Sequence, residues 1–359
     1  MLPDVNARAP SAPDWVTLQP GENLWAAVPK KRTLRLVSSL SGRLLAGRYR
    51  LGEVIENGAL NATYAAYDIE TKEPVAIELL TCPEGAAPPT AVPLRREARR
   101  IVDARHPNLR VARTVGVDGG TPFIVAAEVT GESLRQRLAR GPLPIDEAVS
   151  ITLQVIGAIG AAHLAGIAHG NLKPEKIRLT KSPNGATVAT VMGLGVGTLF
   201  GTMRGVDARR LGTPPYLAPE QLTEARDADE LSDVWGIGLL LYEMLTARRA
   251  FDGATADEVA QKITKSGTFR MRHLRPEISV PLERIVGATL ARSREQRLSL
   301  RDVRRALVDI HEECASAVRA ALRPPSAPDV IVRLGEACDD DSDAATDLYV
   351  HVETDLGSL

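Results

Sequence analysis

The sequence predicts an α+β chain of two lobes: a small β-rich first lobe carrying one helix, and a larger, helical second lobe. Three observations point there. Between residues 48 and 80, apolar and polar residues alternate in short runs broken by turn residues. A basic segment of helical period, PLRREARRIVDA (93–104), follows them. After Gly131 the alternation gives way to long stretches of helical period.

Each element has its own justification. YRLGEVI, ATYAAYDI and PVAIELL alternate as three antiparallel strands, with turns expected at ENG (56–58) and TKEP (71–74). The helix over 93–104 ends before HPN (106–108), and LRVARTVGV and PFIVAAEV, separated by DGG, predict two further strands. Helices are expected at 133–139, 145–165, 231–247, 256–266, 281–291 and 299–322. In the last, Val303, Leu307, Ile310, Cys314, Val318 and Leu322 recur at helical spacing and form one apolar stripe.

Composition sets the outer bounds. The 359 residues suit two lobes of one domain or two domains. The formal net charge of −1 gives no bulk attraction to nucleic acid or to a membrane surface. Three scattered cysteines, Cys82, Cys314 and Cys338, suggest neither a disulfide framework nor a zinc site. The opening residues show no apolar leader, and the most apolar stretch (148–170) is interrupted by Ser150, Thr152, Gln154 and His163. A buried helix with no membrane span is expected there, in a cytoplasmic protein. Residues 1–47 read as a Pro-rich, partly disordered extension, 48–311 as the folded domain divided at 127/128, and 312–359 as the end of the long helix plus an acidic tail.

Several motifs in order then carry a resemblance. LKPE (172–175) sits in a loop AHGNLKPEKIRL, GTPPYLAPEQ spans 212–221, SDVWGIGLLLYEML spans 232–245, and RREA (95–98) precedes HPN. In these the chain resembles the eukaryotic-type Ser/Thr protein kinase family in its bacterial form, over about residues 48–311. The resemblance implies a bilobal protein-kinase-like fold with a β-rich N-lobe, an αC helix and a helical C-lobe. It implies structural roles for Glu97 in αC, His169 and Lys173 in the catalytic loop, Glu220 of the APE motif with Arg297 as its partner, and Asp233 as organiser of the loop backbone.

The departures fall where the family places its chemistry. The VAIK lysine is Glu78, the catalytic aspartate is Asn171, the metal-binding asparagine is Lys176, and the DFG aspartate is Gly193. Only Gly58 remains of the glycine-rich loop, and Glu56 adds a negative charge beside it. Phosphoryl transfer depends on positioning and charge stabilisation, so the resemblance, with these departures, implies a pseudokinase: no catalytic residues, no enzyme activity, a lost magnesium site and weak or absent ATP binding. It would act as a non-catalytic scaffold or regulator whose protein partner is an active kinase, its substrate or a phosphothreonine reader. The alternative is a weak or atypical ATP-dependent Ser/Thr kinase, or another phosphoryl or nucleotidyl transferase, using the same cleft.

Charge makes one further expectation. Glu78 and Glu97 would face each other where the family has a lysine–glutamate pair, and two like charges at 4 Å repel by about 4 kcal/mol at an effective dielectric of 20. The helix could swing out, a carboxyl could protonate, or a cation could be inserted. An internal ion pair of Glu78 with Lys176, or with an arginine, is one expectation; solvation of both in an open cleft is the other. A remnant cleft would be lined by Gly58, Ala76, the gatekeeper Ala126, and Glu128 and Val129 of the hinge. Gly170 replaces the family's loop-docking arginine, so phosphorylation of Thr198 or Thr202 would lack that partner.

Overall fold

A computed structural model of the chain describes residues 40–57, 61–80, 91–118, 121–196, 214–223, 228–265 and 270–321. The extension (1–39), most of the tail, Gly58, and the threonines at 198 and 202 lie outside these. Residues up to His311 belong to one compact unit, and Glu312–Leu359 form a second.

The first lobe is a six-stranded antiparallel sheet of order β1-β2-β3-β4-β6-β5. Its strands are β1 Leu44–Leu45, β2 Tyr49–Asn57, β3 Asn61–Asp68, β4 Glu73–Leu80, β5 Ala112–Asp118 and β6 Thr121–Ala127. Tyr49, Leu51, Tyr64, Val75, Ile77, Phe123 and Val125 project from one side of it into a common core. Helix α1 (Ala91–Asp103) follows β4, and its Ile101 is buried.

Two sequence expectations shift here, both with consequences for the cleft. Of the turn expected at ENG, Glu56 and Asn57 lie in β2, paired with Thr63 and Ala62, and Gly58 lies outside the described residues. The strand expected from Leu109 begins at Ala112. Residues 108–110 bond instead to Val191 of the second lobe, with Arg110 N donating to the Val191 carbonyl (2.8 Å) and Val191 N to the Asn108 carbonyl (2.8 Å).

The second lobe contains a small sheet that the sequence reading missed, formed by β7 (Glu132–Ser133), β8 (Ile177–Lys181) and β9 (Thr187–Val191). Its helices are α2 Leu134–Leu138, α3 Ile145–Leu164, α4 Pro219–Thr223, α5 Glu230–Thr246, α6 Ala256–Lys265, α7 Val280–Thr289 and α8 Leu300–Ala321. Helix α3 is, among the described residues, the one helix long and apolar enough to cross a membrane, yet nine of its residues, from Ala148 to Ala162, are buried within the protein. Helix α5 starts at a capping box: Asp229 accepts from Leu231 N (3.0 Å) and Ser232 N (3.1 Å), satisfying two otherwise orphaned donors. Trp235 on α5 is fully buried and stacks on Phe251 at 5.7 Å. Val303, Leu307 and Ile310 of the α8 stripe are buried; Cys314, Val318 and Leu322 lie outside the described side chains.

Candidate active site

The loop 168–176 hangs from α5. Asp233 accepts from His169 N and Gly170 N, each at 2.8 Å, and is bonded at 2.8 Å to His163 Nε2 of α3. His169 is wholly buried; its Nε2 donates to the Met192 carbonyl (2.9 Å) and its Nδ1 accepts from Asn171 N (3.3 Å). That pattern requires the neutral ring, and burial, outweighing Asp233, pushes its pKa below the usual histidine value. Gly170 has φ +69°, a left-handed backbone in which an arginine would be strained.

At the next turn the chain places a cation in the cleft. Pro174–Lys176 forms a 3-10 turn with Lys176 N bonded to the Lys173 carbonyl, and Met192 N caps the Lys176 carbonyl, both at 2.8 Å. The Lys176 side chain thereby points between the lobes. Its Nζ is 2.8 Å from Glu56 of β2 and 3.6 Å from Glu78 of β4. Glu78 also accepts from Arg110 (3.1 Å) and from the Asn61 amide. Side-chain exposure is 1% for Glu78, 3% for Lys176 and 6% for Arg110, against 19% for Glu56. Burial raises the Glu78 pKa, but Lys176, Arg110 and Asn61 together outweigh it and hold the carboxyl below its ordinary value. Burial lowers Lys176, and its two carboxylates reverse that, so the amine stays charged.

Two acids and two bases thus neutralise one another, and the cation is the route by which the Glu78 charge is accommodated. Glu97 takes no part in it: its Oε1 accepts from Arg100 (3.1 Å) one turn along α1, and its Oε2 is buried without a hydrogen-bond partner. The expected confrontation of Glu78 with Glu97 is therefore replaced by two separate arrangements, each carboxylate having its own arginine.

The same positions decide whether a metal fits. At the two places where the resemblance puts metal ligands stand an ammonium and a glycine. A β-carbon on Gly193 would lie 3.2–3.5 Å from Cδ, Cε and Nζ of Lys176, so the lysine packs closely against the glycine. Lys176 has no lone pair to offer while charged, and the donor set does not suit magnesium. No group of three or more His, Cys, Asp or Glu residues able to hold a metal occurs among the described residues.

At the other end of the cleft, Ala76 of β4 and Ala126 of β6 are cross-strand partners and both buried. Val129 is half-buried and Glu128 exposed, as suits a connection between lobes. Below the loop, Arg135 of α2 bonds Glu175 (2.8 Å), Glu243 (2.5 Å) and the Tyr216 hydroxyl, and Tyr216 donates to Glu243 (2.7 Å). Lys173 is half-buried close to these groups; burial, reinforced by Lys176, lowers its pKa. Glu220 and Arg297 form a two-point pair at 2.7 and 3.0 Å, with the guanidinium 5.2 Å from the Trp235 ring centroid.

The site residues named from sequence are thus divided. The structure brings Glu78, Lys176 and Gly193 into direct neighbourhood and places Asn171 on the loop held by Asp233. Arg110, Asn61 and the Arg135 cluster were missed. Glu56 was noticed only as an unfavourable charge, though its sign was already the signal for a nearby base.

Known proteins give the context. The chain matches the protein kinase domain over residues 49–307. It is 31% identical over 257 residues to the serine/threonine-protein kinase PknL of Mycobacterium tuberculosis, covering 71% of this chain and 63% of that protein. It is 30% identical over 249 residues to PrkC of Bacillus subtilis, covering 69% and 38%. The chain therefore spans less than two thirds of the length of the curated relatives it matches. In fold it is similar to the kinase domain of Mycobacterium tuberculosis PknI, with a TM-score of 0.59 at 20% identity, covering 75% of this chain and 98% of that domain. The relatives are named serine/threonine-protein kinases, and this overturns the expectation drawn from Glu78, Asn171, Lys176 and Gly193 that the chain is no enzyme.

Proposed function

The chain belongs to the protein kinase domain family, and on that premise we propose that it is an atypical, slow, ATP-dependent Ser/Thr phosphotransferase whose cleft uses built-in cations in place of magnesium. The observation that carries this reading is the convergence of Lys176 and Arg110 in a buried cleft beside a catalytic loop still gripped by Asp233. In the transfer, a substrate hydroxyl oxygen forms a bond to the γ-phosphorus as the β–γ bridging bond breaks, its electrons leaving with ADP. Lys176 and Lys173 supply positive charge where charge accumulates on phosphate oxygens. Asn171 can orient the hydroxyl by hydrogen bonding but cannot accept its proton, which leaves to the transferred phosphoryl group or to water. A general base is worth about 10²–10⁴ in rate, so its loss takes the roughly 1–100 s⁻¹ of protein kinases to about 10⁻⁴–1 s⁻¹.

The test is incorporation of γ-labelled phosphate from ATP into a generic Ser/Thr protein substrate, with magnesium and with excess chelator. Incorporation that survives chelation and falls about tenfold or more in Lys176→Met supports the reading. Incorporation no greater than with heat-denatured protein sinks it. An Asn171→Ala preparation controls for a contaminating kinase, whose signal would not change.

A second reading is favoured by one observation, the internal neutrality of the Glu56–Lys176–Glu78–Arg110 group. On it, the chain serves signalling as a scaffold or regulator through protein–protein contact, with an active kinase, its substrate or a phosphothreonine reader as partner. Addition of the purified chain to an active family member would then change that kinase's rate in proportion to complex formed, with or without nucleotide in this cleft.

A further inference from the structure

Four charged groups meet in the cleft, and they are not equivalent. Glu78, Lys176 and Arg110 are buried to nearly the same degree, whereas Glu56 keeps about a fifth of its side chain in contact with solvent. Glu56 also contributes a single bond, to Lys176 at 2.8 Å, whereas Glu78 holds Arg110 at 3.1 Å, the Asn61 amide and Lys176 at 3.6 Å. Withdrawing Glu56 exposes one carboxylate that is already part-hydrated. Withdrawing Glu78 would strand a wholly buried one. The group therefore has one replaceable anion and one fixed anion.

Charge arithmetic gives the replacement its chemistry. With Glu56 seated, the two acids cancel Lys176 and Arg110, and an arriving triphosphate meets no net attraction. With Glu56 turned out, Lys176 and Arg110 face Glu78 alone, and the site carries one positive charge beside the half-buried Lys173. A phosphate oxygen offers Lys176 the same acceptor type at the same distance as a carboxylate oxygen. The position of Glu56 is also suited to this movement: it is the second-last residue of β2, where register with β3 is already irregular between Val54 and Glu56.

We propose that Glu56 is a built-in competitor for the phosphate groups of ATP: its carboxylate occupies the anion position on Lys176 in the free protein and is exchanged for a phosphate oxygen, without a metal ion, when the nucleotide enters. This deepens, and rests on, the reading of the cleft as the ATP site. Glu78 with Arg110 keeps Lys176 in place through the exchange, and Gly193 provides the space in which the lysine lies, with its would-be β-carbon 3.2 Å from Lys176 Cδ. The consequence is a pocket whose affinity for the polyphosphate end is set by one surface-facing acid.

The experiment is equilibrium binding of ATP and of adenosine to the full chain, by calorimetry in excess chelator, for the wild type, Glu56→Gln and Lys176→Met. Thermal melts verify that each variant is folded. Glu56→Gln should tighten ATP about tenfold, the effect of removing one partly screened competing charge, and leave adenosine unchanged. Lys176→Met should weaken ATP about tenfold or more, again with little change for adenosine. Equal affinities of wild type and Glu56→Gln for ATP, a dependence of binding on magnesium, or no ATP binding by either protein would each overturn the proposal. Binding that follows the predicted order without phosphate transfer would leave this inference standing and remove the phosphotransferase reading. Transfer at a rate indifferent to Glu56→Gln, together with unchanged ATP affinity, would do the reverse.

Discussion

Two ion-pair systems lie on either side of the catalytic loop, and they solve different problems. Below it, Glu220 and Arg297 form a two-point pair, both nearly free of solvent, with the guanidinium held between the carboxylate, the Ala291 and Leu231 carbonyls and an indole ring, while Arg294 (3.2 Å) and Ser232 (3.0 Å) also reach Glu220. Above it, Glu56, Lys176, Glu78 and Arg110 share charges among four side chains contributed by both lobes. Glu220 without Arg297 keeps only the half-buried Arg294 at 3.2 Å, which also serves Asp229. Glu78 retains a buried cation if either base is removed. Buried ion pairs are weak evidence for stability in themselves, and what distinguishes these two is how each responds to the loss of a partner.

The comparison can be broken first at its strongest point. Arg297→Met should destabilise the domain by about 3–5 kcal/mol, because Glu220 is left buried with only Arg294 and Ser232 in reach, and urea titration would register this as a lower midpoint at constant slope. Asp233→Ala leaves the His169 and Gly170 amides without their acceptor and should remove about 2–4 kcal/mol, adding two unsatisfied groups at about 1–3 kcal/mol each but allowing some entry of water. If Asp233→Ala melts like the wild type, the frame ascribed to it is wrong. Lys176→Met should be milder, about 1–2 kcal/mol, since Arg110 still faces Glu78. An effect as large as that of Arg297→Met would show that the cluster is not redundant.

pH sharpens the same contrast. Glu78 is held below its ordinary value of 4.5, so the stability it contributes is complete above that value and is lost as pH falls through the lower, folded-state pKa. Lys176 is held above 10.5, so its contribution is complete below that value and is lost as pH rises through the higher one. The stability difference between wild type and Lys176→Met should therefore be flat between roughly pH 5 and 10 and shrink on either side. The smallest expected change is that of Glu56→Gln, about 0–1 kcal/mol, as befits a partly solvated pair. A larger loss would mean that Glu56 is fixed, contrary to its exchange with phosphate.

The two systems were also unequally legible in the sequence. Glu220, Asp233 and Arg297 lie in ordered motifs, so their places in the fold could be named before any coordinates. The two lobes and every long helix followed from hydrophobic period, with ends displaced by a residue or two. Strands β7, β8 and β9, of two to five residues, are too short for periodicity to register. The upper cluster was half visible: reversal of charge at 78 and gain of a lysine at 176 suggested a pairing between them. Arg110 gave no sign, because its role depends on a bridge between Leu109 and Val191 that draws it out of the expected strand. Contacts of that kind join residues far apart in the chain and leave no trace in local pattern.

Gly193 carries a consequence for anyone who would rebuild an ordinary kinase centre here. Its backbone is left-handed, at φ +78°, and Lys176 packs against its bare α-carbon. An aspartate installed at 193 would strain its own backbone and press the Lys176 side chain aside by about a few tenths of an ångström, and its carboxylate would then meet the ammonium as an ion partner. While the lysine remains, an acid restored there joins the Lys176 cluster instead of standing ready for a metal ion.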